Sequence, residues 1–513
     1  MENHGALWYN SGKPQAVLRR CAEETEGWEI GLMKGFIQIG KKEKKGTGWI
    51  VLHFSLSLAL FALFWLWFRT GASPVAGEKA YRLDLIVLLG YTAELYFFSR
   101  IYNAYLLGYY RSRLLVFAQF LTQFFSAAIV YVLMTLLWLR LTNPLPLMLL
   151  VLAQLALDFA WCTFANRYFF KVNPVRRTIL FYRNELDKKR FGSIEGKPIE
   201  RLYRIEKEYR YSGDDFREIR PLLEGYDAVF VSGLHPNCRN DIANYCKEEG
   251  IPGFFLPRVG DMIMRESSHI QSFETPVLHL HRKQLAMDYA IVKRAFDIVV
   301  SGAALVVLSP IMLVTALAIH FYDGGPALYK QVRLTQDGRE YKILKFRSMR
   351  VDAEKDGVAR LSTGDKDDRI TPIGHFVRKC RLDELPQLVN ILRGDMTIVG
   401  PRPERPEIAK QIYESLPEFR LRLQVKAGLT GYAQIYGRYN TGPYEKLMFD
   451  LLYISDMGII TDLMLMFATV SILFMSESTA GVEVGQTTAI DWKQGDGDDE
   501  RSSVEADSHK TQV

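Results

Sequence analysis

Cysteine is scarce in this chain of 513 residues, five in all. None of Cys21, Cys162, Cys238, Cys246 and Cys380 forms a Cys-x-x-Cys pair or has a histidine at ligand spacing. That pattern argues against zinc or a disulfide framework and for reduced structural thiols on a cytoplasmic side. A charge excess of one sign is missing too: 64 Lys and Arg against 58 Asp and Glu leave +6, so no nucleic-acid partner is expected. No cleavable signal is visible, because the first long apolar run starts near residue 49 and lacks a small-residue cleavage site.

What the chain does have is apolar sequence, concentrated between Trp49 and Phe170. Residues Trp49 to Thr70, Leu83 to Tyr105, Leu114 to Leu139 and Leu145 to Phe170 are each long enough to cross hydrocarbon as helices, at about 20 residues per crossing. The second run is the weakest, since Glu94 and Arg100 interrupt it. Basic residues flank the runs unevenly: Lys41, Lys42, Lys44 and Lys45 before the first, Arg111 and Arg113 between the second and third, and Arg167, Lys171, Arg176 and Arg177 after the fourth. The opposite loops carry only Lys79, Arg82 and Arg140. The bias places both ends of this bundle in the cytoplasm. Glu94, Arg100 and Asp158 are expected to sit near helix ends or to pair inside the bundle, because no Gly/Pro-broken helix pair suggests a transport path.

From Val175 to Phe273, short apolar runs (Thr178 to Tyr182, Ala228 to Val231, Gly253 to Leu256) alternate with charged helical stretches, the pattern of a small α/β unit with a parallel sheet. Its first strand runs into Phe181-Tyr-Arg-Asn-Glu-Leu186 instead of a Gly-x-Gly-x-x-Gly turn. Without glycines the backbone cannot approach a pyrophosphate closely, so a structural, dimerising or regulatory module is expected there. A fifth apolar segment, Phe296 to Phe321, is broken in its middle by Ser309-Pro310 and is basic on both flanks, with Lys293 and Arg294 before it and Lys330 and Arg333 after it. A proline removes a backbone hydrogen bond and bends a helix, so a re-entrant hairpin is expected here. Leu463 to Met475 is too short to span and reads as an interfacial or core helix. The tail from Glu477 is acidic and poor in apolar residues, hence expected to be disordered.

The most informative stretch is Arg381-Leu-Asp-Glu-Leu-Pro-Gln387 followed by Gly394-Asp-Met-Thr-Ile-Val-Gly-Pro-Arg-Pro403. Two adjacent carboxylates, Asp383 and Glu384, precede a stiff Pro-Arg-Pro turn. A carboxylate can attack phosphorus or hold a divalent metal, and a guanidinium matches phosphate oxygens in a fork geometry. The motifs Lys345-Phe-Arg-Ser-Met349, Leu382-Asp-Glu-Leu-Pro-Gln387, Gly400-Pro-Arg-Pro403 and Ala427-Gly-Leu-Thr-Gly-Tyr-Ala-Gln434 with Gly437-Arg438 occur in that order. The series resembles the bacterial sugar transferases, the polyprenyl-phosphate hexose-1-phosphate transferases, strongly from Ile291 to about Met475.

The resemblance implies a multidomain membrane protein: a cytoplasmic segment (1–48), a four-helix transmembrane bundle (49–174), a Rossmann-like α/β domain (175–273), a monotopic α+β catalytic domain with a re-entrant helix broken at Ser309 and Pro310 (290–476), and the tail (477–513). It implies transfer of a sugar 1-phosphate from a uridine diphosphate sugar to polyprenyl (undecaprenyl) phosphate on the cytoplasmic face, with release of uridine monophosphate. Asp383 would be the nucleophile and Glu384 its neighbour, helping to bind Mg²⁺. Lys345, Arg378, Arg402, Arg438 and Asp450 would bind substrate. Membrane lipids are further expected partners, and a homodimer is left open. Two other readings are weighed beside it: a processive glycosyltransferase releasing uridine diphosphate, which should show an Asp-x-Asp metal motif, and a non-catalytic polysaccharide-assembly scaffold. Cys380-Arg381, Tyr432 and Tyr436 depart from residues common in relatives and leave the sugar open.

Overall fold

The computed structural model of the chain describes residues 47–72, 78–139, 141–191, 198–270, 277–282, 285–351, 353, 367–437 and 441–473. The expected N-terminal segment and acidic tail lie outside these residues, as does Arg438. Four long helices come first: α1 (Thr47–Ala72), α2 (Glu78–Ile101), α3 (Ser112–Trp138) and α4 (Leu145–Val172). By length and composition α1, α3 and α4 are apolar enough to cross a membrane. The helix α2 begins five and ends four residues earlier than its apolar run, and Tyr102 to Tyr105 form a turn.

Polar residues inside the bundle face one another. Asp158 Oδ1 accepts from Gln123 Nε2 at 2.9 Å and lies 2.8 Å from His53 Nε2. Both Asp158 and His53 are fully buried, so the intramembrane acid is paired within the bundle, as a low-dielectric interior requires.

The α/β unit follows: β1 (Arg176–Tyr182), α5 (Glu185–Phe191), β2 (Tyr203–Arg210), α6 (Phe216–Leu223), β3 (Ala228–Ser232), α7 (Pro236–Glu248), β4 (Gly253–Phe255) and α8 (Val259–Arg265). Its four strands are all parallel, in the order β2-β1-β3-β4. The central strands β1 and β3 are almost wholly buried, which is why they read as apolar runs. The strand β2 was expected as charged helix. It is an edge strand whose Arg204, Lys207, Glu208 and Arg210 alternate with few buried positions, so the helix-like charge density masks its extended backbone. A short antiparallel pair, β5 (Ser268–Ile270) and β6 (Val277–His279), leads out of the unit.

The third unit opens with α9 (Met287–Asp323), 37 residues long and also apolar enough to cross a membrane. The helix runs unbroken through Pro310, so the expected interruption of helical backbone is not seen. The reason is local: proline cannot donate to the Val306 carbonyl four residues back, and the Ser309 hydroxyl donates to that carbonyl instead, at 2.8 Å. Both halves of α9 pack on the same domain. Val300, Ala304, Leu305 and Leu308 join its main core, whereas Met312, Ala316 and Ile319 pack with Phe346 and Val377. Asp297 Oδ1 accepts from the Ile398 amide at 2.9 Å, and the Arg294 guanidinium donates to the Ile391 and Leu392 carbonyls. The outer side stays apolar and bare, with Val306 75% and Val307 72% exposed.

The remaining elements are an antiparallel hairpin β7 (Leu328–Leu334) and β8 (Glu340–Phe346), helices α10 (Pro372–Lys379) and α11 (Gln387–Arg393), β9 (Thr397–Val399), α12 (Pro406–Ser415), β10 (Gly428–Thr430) paired parallel with β9, then α13 (Tyr432–Tyr436), α14 (Pro443–Ser455) and α15 (Ile459–Leu473). The helix α15 bridges two units. Its Phe467 packs edge-on to Phe98 and Phe125 of the bundle, and the Tyr102 hydroxyl donates to the Phe467 carbonyl at 3.1 Å.

Candidate active site

The acidic pair sits where a helix is forced to stop. The helix α10 ends at Lys379, and Arg381 takes a left-handed conformation (φ 57, ψ 18) before a single 3₁₀ turn, Leu382–Glu384. A non-glycine residue in that region is strained and calls for support from its surroundings. The turn packs against β8 and α10, Leu382 and Leu385 meeting Phe346 and Val377, and Asn390 of α11 fastens that following helix to β8 by accepting from the Leu344 amide (2.9 Å) and donating to the Lys342 carbonyl (2.9 Å). One residue on, Lys345 extends its ammonium to 4.0 Å from Glu384 Oε1.

Arg402 reaches the same oxygen, its Nη2 2.9 Å from Glu384 Oε1. The loop carrying it is pinned at four consecutive carbonyls. Pro401 O accepts from the Gly428 amide (2.9 Å), Arg402 O from Arg422 Nη2 (2.6 Å), Pro403 O from Arg333 Nη1 (3.1 Å) and Glu404 O from the Leu334 amide (3.0 Å). Glycine is required where the two motifs meet, because a Cβ on Gly428 would lie 2.1 Å from the Gly400 nitrogen. The Arg402 backbone is thus fixed before any ligand arrives.

Environment separates the two acids. Burial raises the Asp383 carboxyl, the neighbouring Glu384 charge raises it further, and Lys345, Arg378 and Arg381 offset part of this, leaving it pushed up to about 6. Burial would raise Glu384 as well, but Arg402, Lys345 and Arg381 outweigh it and hold Glu384 down to about 2. Lys345 is lowered to about 8, chiefly by burial, with Glu384 opposing. No hydrogen bond or ion pair reaches the Asp383 carboxylate among the described residues. Arg378 Nη1 is buried without a hydrogen-bond partner among them. Two adjacent carboxylates thus differ in role: one is locked in a cationic cluster, the other is left unpaired beside it.

The structure thus brings Lys345 and Arg402 to Glu384, with Asp383 on the same turn and Arg378 within electrostatic reach of it. Asp450 does not join them directly. It is buried, and its Oδ2 pairs with Arg422 Nη2 at 2.8 Å, the same nitrogen that holds the Arg402 carbonyl. Burial pushes the Asp450 carboxyl up to about 6, against the opposing Arg422 charge. Its place is behind the Pro-Arg-Pro turn. Ser309 and Pro310 lie within α9.

Arg333 escaped a site reading. Its sequence position made it a topological flank, yet it lies under Pro403 and lines a small cavity with Lys345, Gln387 and Arg402. Only its pairing with β8, opposite Tyr341 and beside Ile343 of the core, places it on the inner face. Among the described residues no three His, Cys, Asp or Glu side chains are grouped as a metal cage. Mg²⁺ is commonly held by one or two carboxylates plus substrate phosphates, and the donor set fits that mode: all three cations meet Glu384 at Oε1, leaving Oε2 and Asp383 as oxygen donors.

A carboxylate pair split in ionisation and ringed by cations thus lies in the unit that the long apolar helix α9 opens. Residues 288–476 match the family described as bacterial sugar transferase. The chain belongs to that family. It is 40% identical over 202 residues to the exopolysaccharide production protein PSS of Rhizobium leguminosarum bv. phaseoli, covering 97% of that protein and 37% of this chain. Over 200 residues it is 40% identical to a UDP-glucose:undecaprenyl-phosphate glucose-1-phosphate transferase of Escherichia coli (strain K12), 38% of this chain and 43% of that protein. A UDP-N-acetylgalactosamine-undecaprenyl-phosphate N-acetylgalactosaminephosphotransferase of Aeromonas hydrophila is 36% identical over 200 residues, 37% of this chain and 47% of that protein. The chain thus spans less than half the length of these last two relatives, and the family match at residues 288–476 falls on the third structural unit.

Proposed function

We propose that the chain transfers a sugar 1-phosphate from a uridine diphosphate sugar to undecaprenyl phosphate, releasing uridine monophosphate, at the cytoplasmic face of a bacterial inner membrane. The observation carrying this reading is the unpaired Asp383 carboxylate beside Glu384, which Arg402 and Lys345 hold ionised. The names of the relatives supply the substrate class.

In the first step an Asp383 oxygen attacks the phosphorus that bears the sugar, and the bond from that phosphorus to the bridging oxygen breaks. Uridine monophosphate leaves with the bridging oxygen, and a phosphosugar-aspartate remains. In the second step an oxygen of undecaprenyl phosphate attacks the same phosphorus. The aspartyl bond breaks, Asp383 regains its carboxylate, and the lipid carries a diphosphate-linked sugar. Attack by an anion on an anionic diphosphate needs the charge on its equatorial oxygens neutralised. Arg402, with its backbone pinned, and Arg378, with a buried guanidinium nitrogen awaiting an acceptor, are placed for that task. Glu384 would help to hold Mg²⁺, which would supply Lewis-acid neutralisation of the diphosphate.

The acceptor's head group stays at the bilayer surface, so the catalyst must be held there. We read α9 as dipping into the cytoplasmic leaflet with its bare side in lipid. A straight helix of 37 residues is about 55 Å long, well beyond the roughly 30 Å hydrocarbon core. Yet residues near both ends, Arg294 and Ile319, pack on the one catalytic domain. Purified protein in lipid, given uridine diphosphate sugars and undecaprenyl phosphate, tests the reading through the nucleotide released. Uridine monophosphate supports it, uridine diphosphate supports a glycosyltransferase, and neither supports a scaffold.

A further inference from the structure

The α/β unit has no role in the chemistry above. Its sheet packs on α3 and α4 of the bundle, and its contacts with the catalytic domain gather at one element, α14. At the start of α14 the Arg190 guanidinium lies over the Tyr444 ring, 4.1 Å from its centroid, with Nε 3.5 Å from Glu445 Oε1. At its end both Asp456 carboxylate oxygens accept from Arg265 Nη2, each at 3.0 Å. Between these points Met262 of α8 is buried in the catalytic core itself. Two arginines of one domain therefore grip the two ends of a single helix of the other.

The middle of that helix braces the Pro-Arg-Pro turn. Asp450 pairs with Arg422, which donates to the Arg402 carbonyl, and Lys446 Nζ lies 3.5 Å from Glu404 Oε1. An unbroken series of contacts runs from Arg190 and Arg265 through α14 to the backbone of Arg402. The face of the α/β sheet that could have served a ligand is already filled. In open parallel sheets the ligand crevice lies where the strand order reverses, here between the C-terminal ends of β1 and β3. There the Asp187 carboxylate occupies the space a Cβ on Gly233 would take, and Arg258 donates to the Gly233 and Leu234 carbonyls.

We propose that the α/β unit is a positioning clamp for the catalytic domain, with Arg190 and Arg265 as positioning residues that set Arg402 through α14. The inference rests on the reading of Arg402 as the diphosphate-binding arginine. Its test uses full-length protein in lipid vesicles, with initial rates measured against the uridine diphosphate sugar and against undecaprenyl phosphate.

The Arg190→Ala/Arg265→Ala double variant loses about tenfold in kcat/KM for the donor, with the KM for the lipid acceptor unchanged. On an Arg402→Lys background the same pair of changes adds no further loss, because groups acting as one unit are not additive. The charge swap Arg190→Glu/Glu445→Arg recovers part of the activity lost by Arg190→Glu alone. If the arginine double variant does not fold, Tyr444→Leu/Glu445→Ala/Asp456→Ala removes the ring and both carboxylates that the arginines contact and is read identically. Donor kinetics unchanged in a folded double variant, or the full tenfold loss repeated on the Arg402→Lys background, overturns the clamp. Arg402→Lys alone at wild-type kcat/KM would instead remove the assignment of Arg402, whatever the clamp variants do.

Discussion

Arg402 and Glu384 meet at 2.9 Å across the mouth of the site, from a pinned loop and a strained turn that lie 18 residues apart in sequence. The contact does two things at once. It holds Glu384 ionised in a buried setting, and it parks the guanidinium where a diphosphate can take it over. Replacing Arg402 with alanine is expected to lower kcat/KM for the donor by about 10²- to 10³-fold, the range seen when one charge-stabilising donor is removed. Lysine, which keeps the charge but not the fork, should restore only part of that. Steady-state kinetics with a single uridine diphosphate sugar check both outcomes.

The pH profile follows from the two displaced groups. Asp383 attacks only when ionised, so kcat/KM should fall as pH drops through about 6. Lys345 is a cation only below about 8, so a second fall is expected above that value. Glu384→Gln removes a charge that raises both groups. Both limbs of the bell should then move to lower pH, whereas a profile fixed in place would contradict the assignment.

Removal of divalent metal should abolish turnover, and added Mg²⁺ should restore it. Glu384→Gln, which keeps the shape but loses the charged oxygen donor, should demand more Mg²⁺ for half-maximal activity. Titrations of rate against Mg²⁺ in the two proteins measure this directly. Full activity in excess chelator would remove the metal from the account.

Membrane placement of α9 has its own test. Single cysteines introduced at Lys293 and at Lys330 of an otherwise cysteine-free protein should both react with an impermeant thiol reagent only from the cytoplasmic side. Labelling of one of them from the opposite side would mean that α9 spans the membrane.

Much of this was legible in the sequence, for physical reasons that can be named. The acidic pair, the Pro-Arg-Pro turn and Lys345 lie in short motifs whose residue types are visible locally, and the structure brings them together. The apolar runs marked α1, α3, α4 and α9 because hydrocarbon length is a property of one segment. Contacts distant in sequence left no such mark. Asp450 reads as one more acid until Arg422, 28 positions earlier, is seen to link it to the Arg402 carbonyl. Arg333 looks like a flanking charge until β7 turns it under Pro403. The continuity of α9 through Pro310 depended on a serine hydroxyl reaching the one carbonyl the proline leaves free.

The central claim is that the Asp383 carboxylate carries the phosphosugar between donor and lipid. Incubating the protein with Mg²⁺ and a uridine diphosphate sugar, without undecaprenyl phosphate, and then quenching for intact-mass and peptide mass spectrometry tests it most directly. The account predicts a sugar-phosphate adduct on the peptide containing Asp383, one uridine monophosphate released per adduct, discharge of the adduct when the lipid is added, and no adduct in a folded Asp383→Asn variant. Turnover in that variant, or efficient transfer to lipid with no adduct formed in its absence, would contradict it.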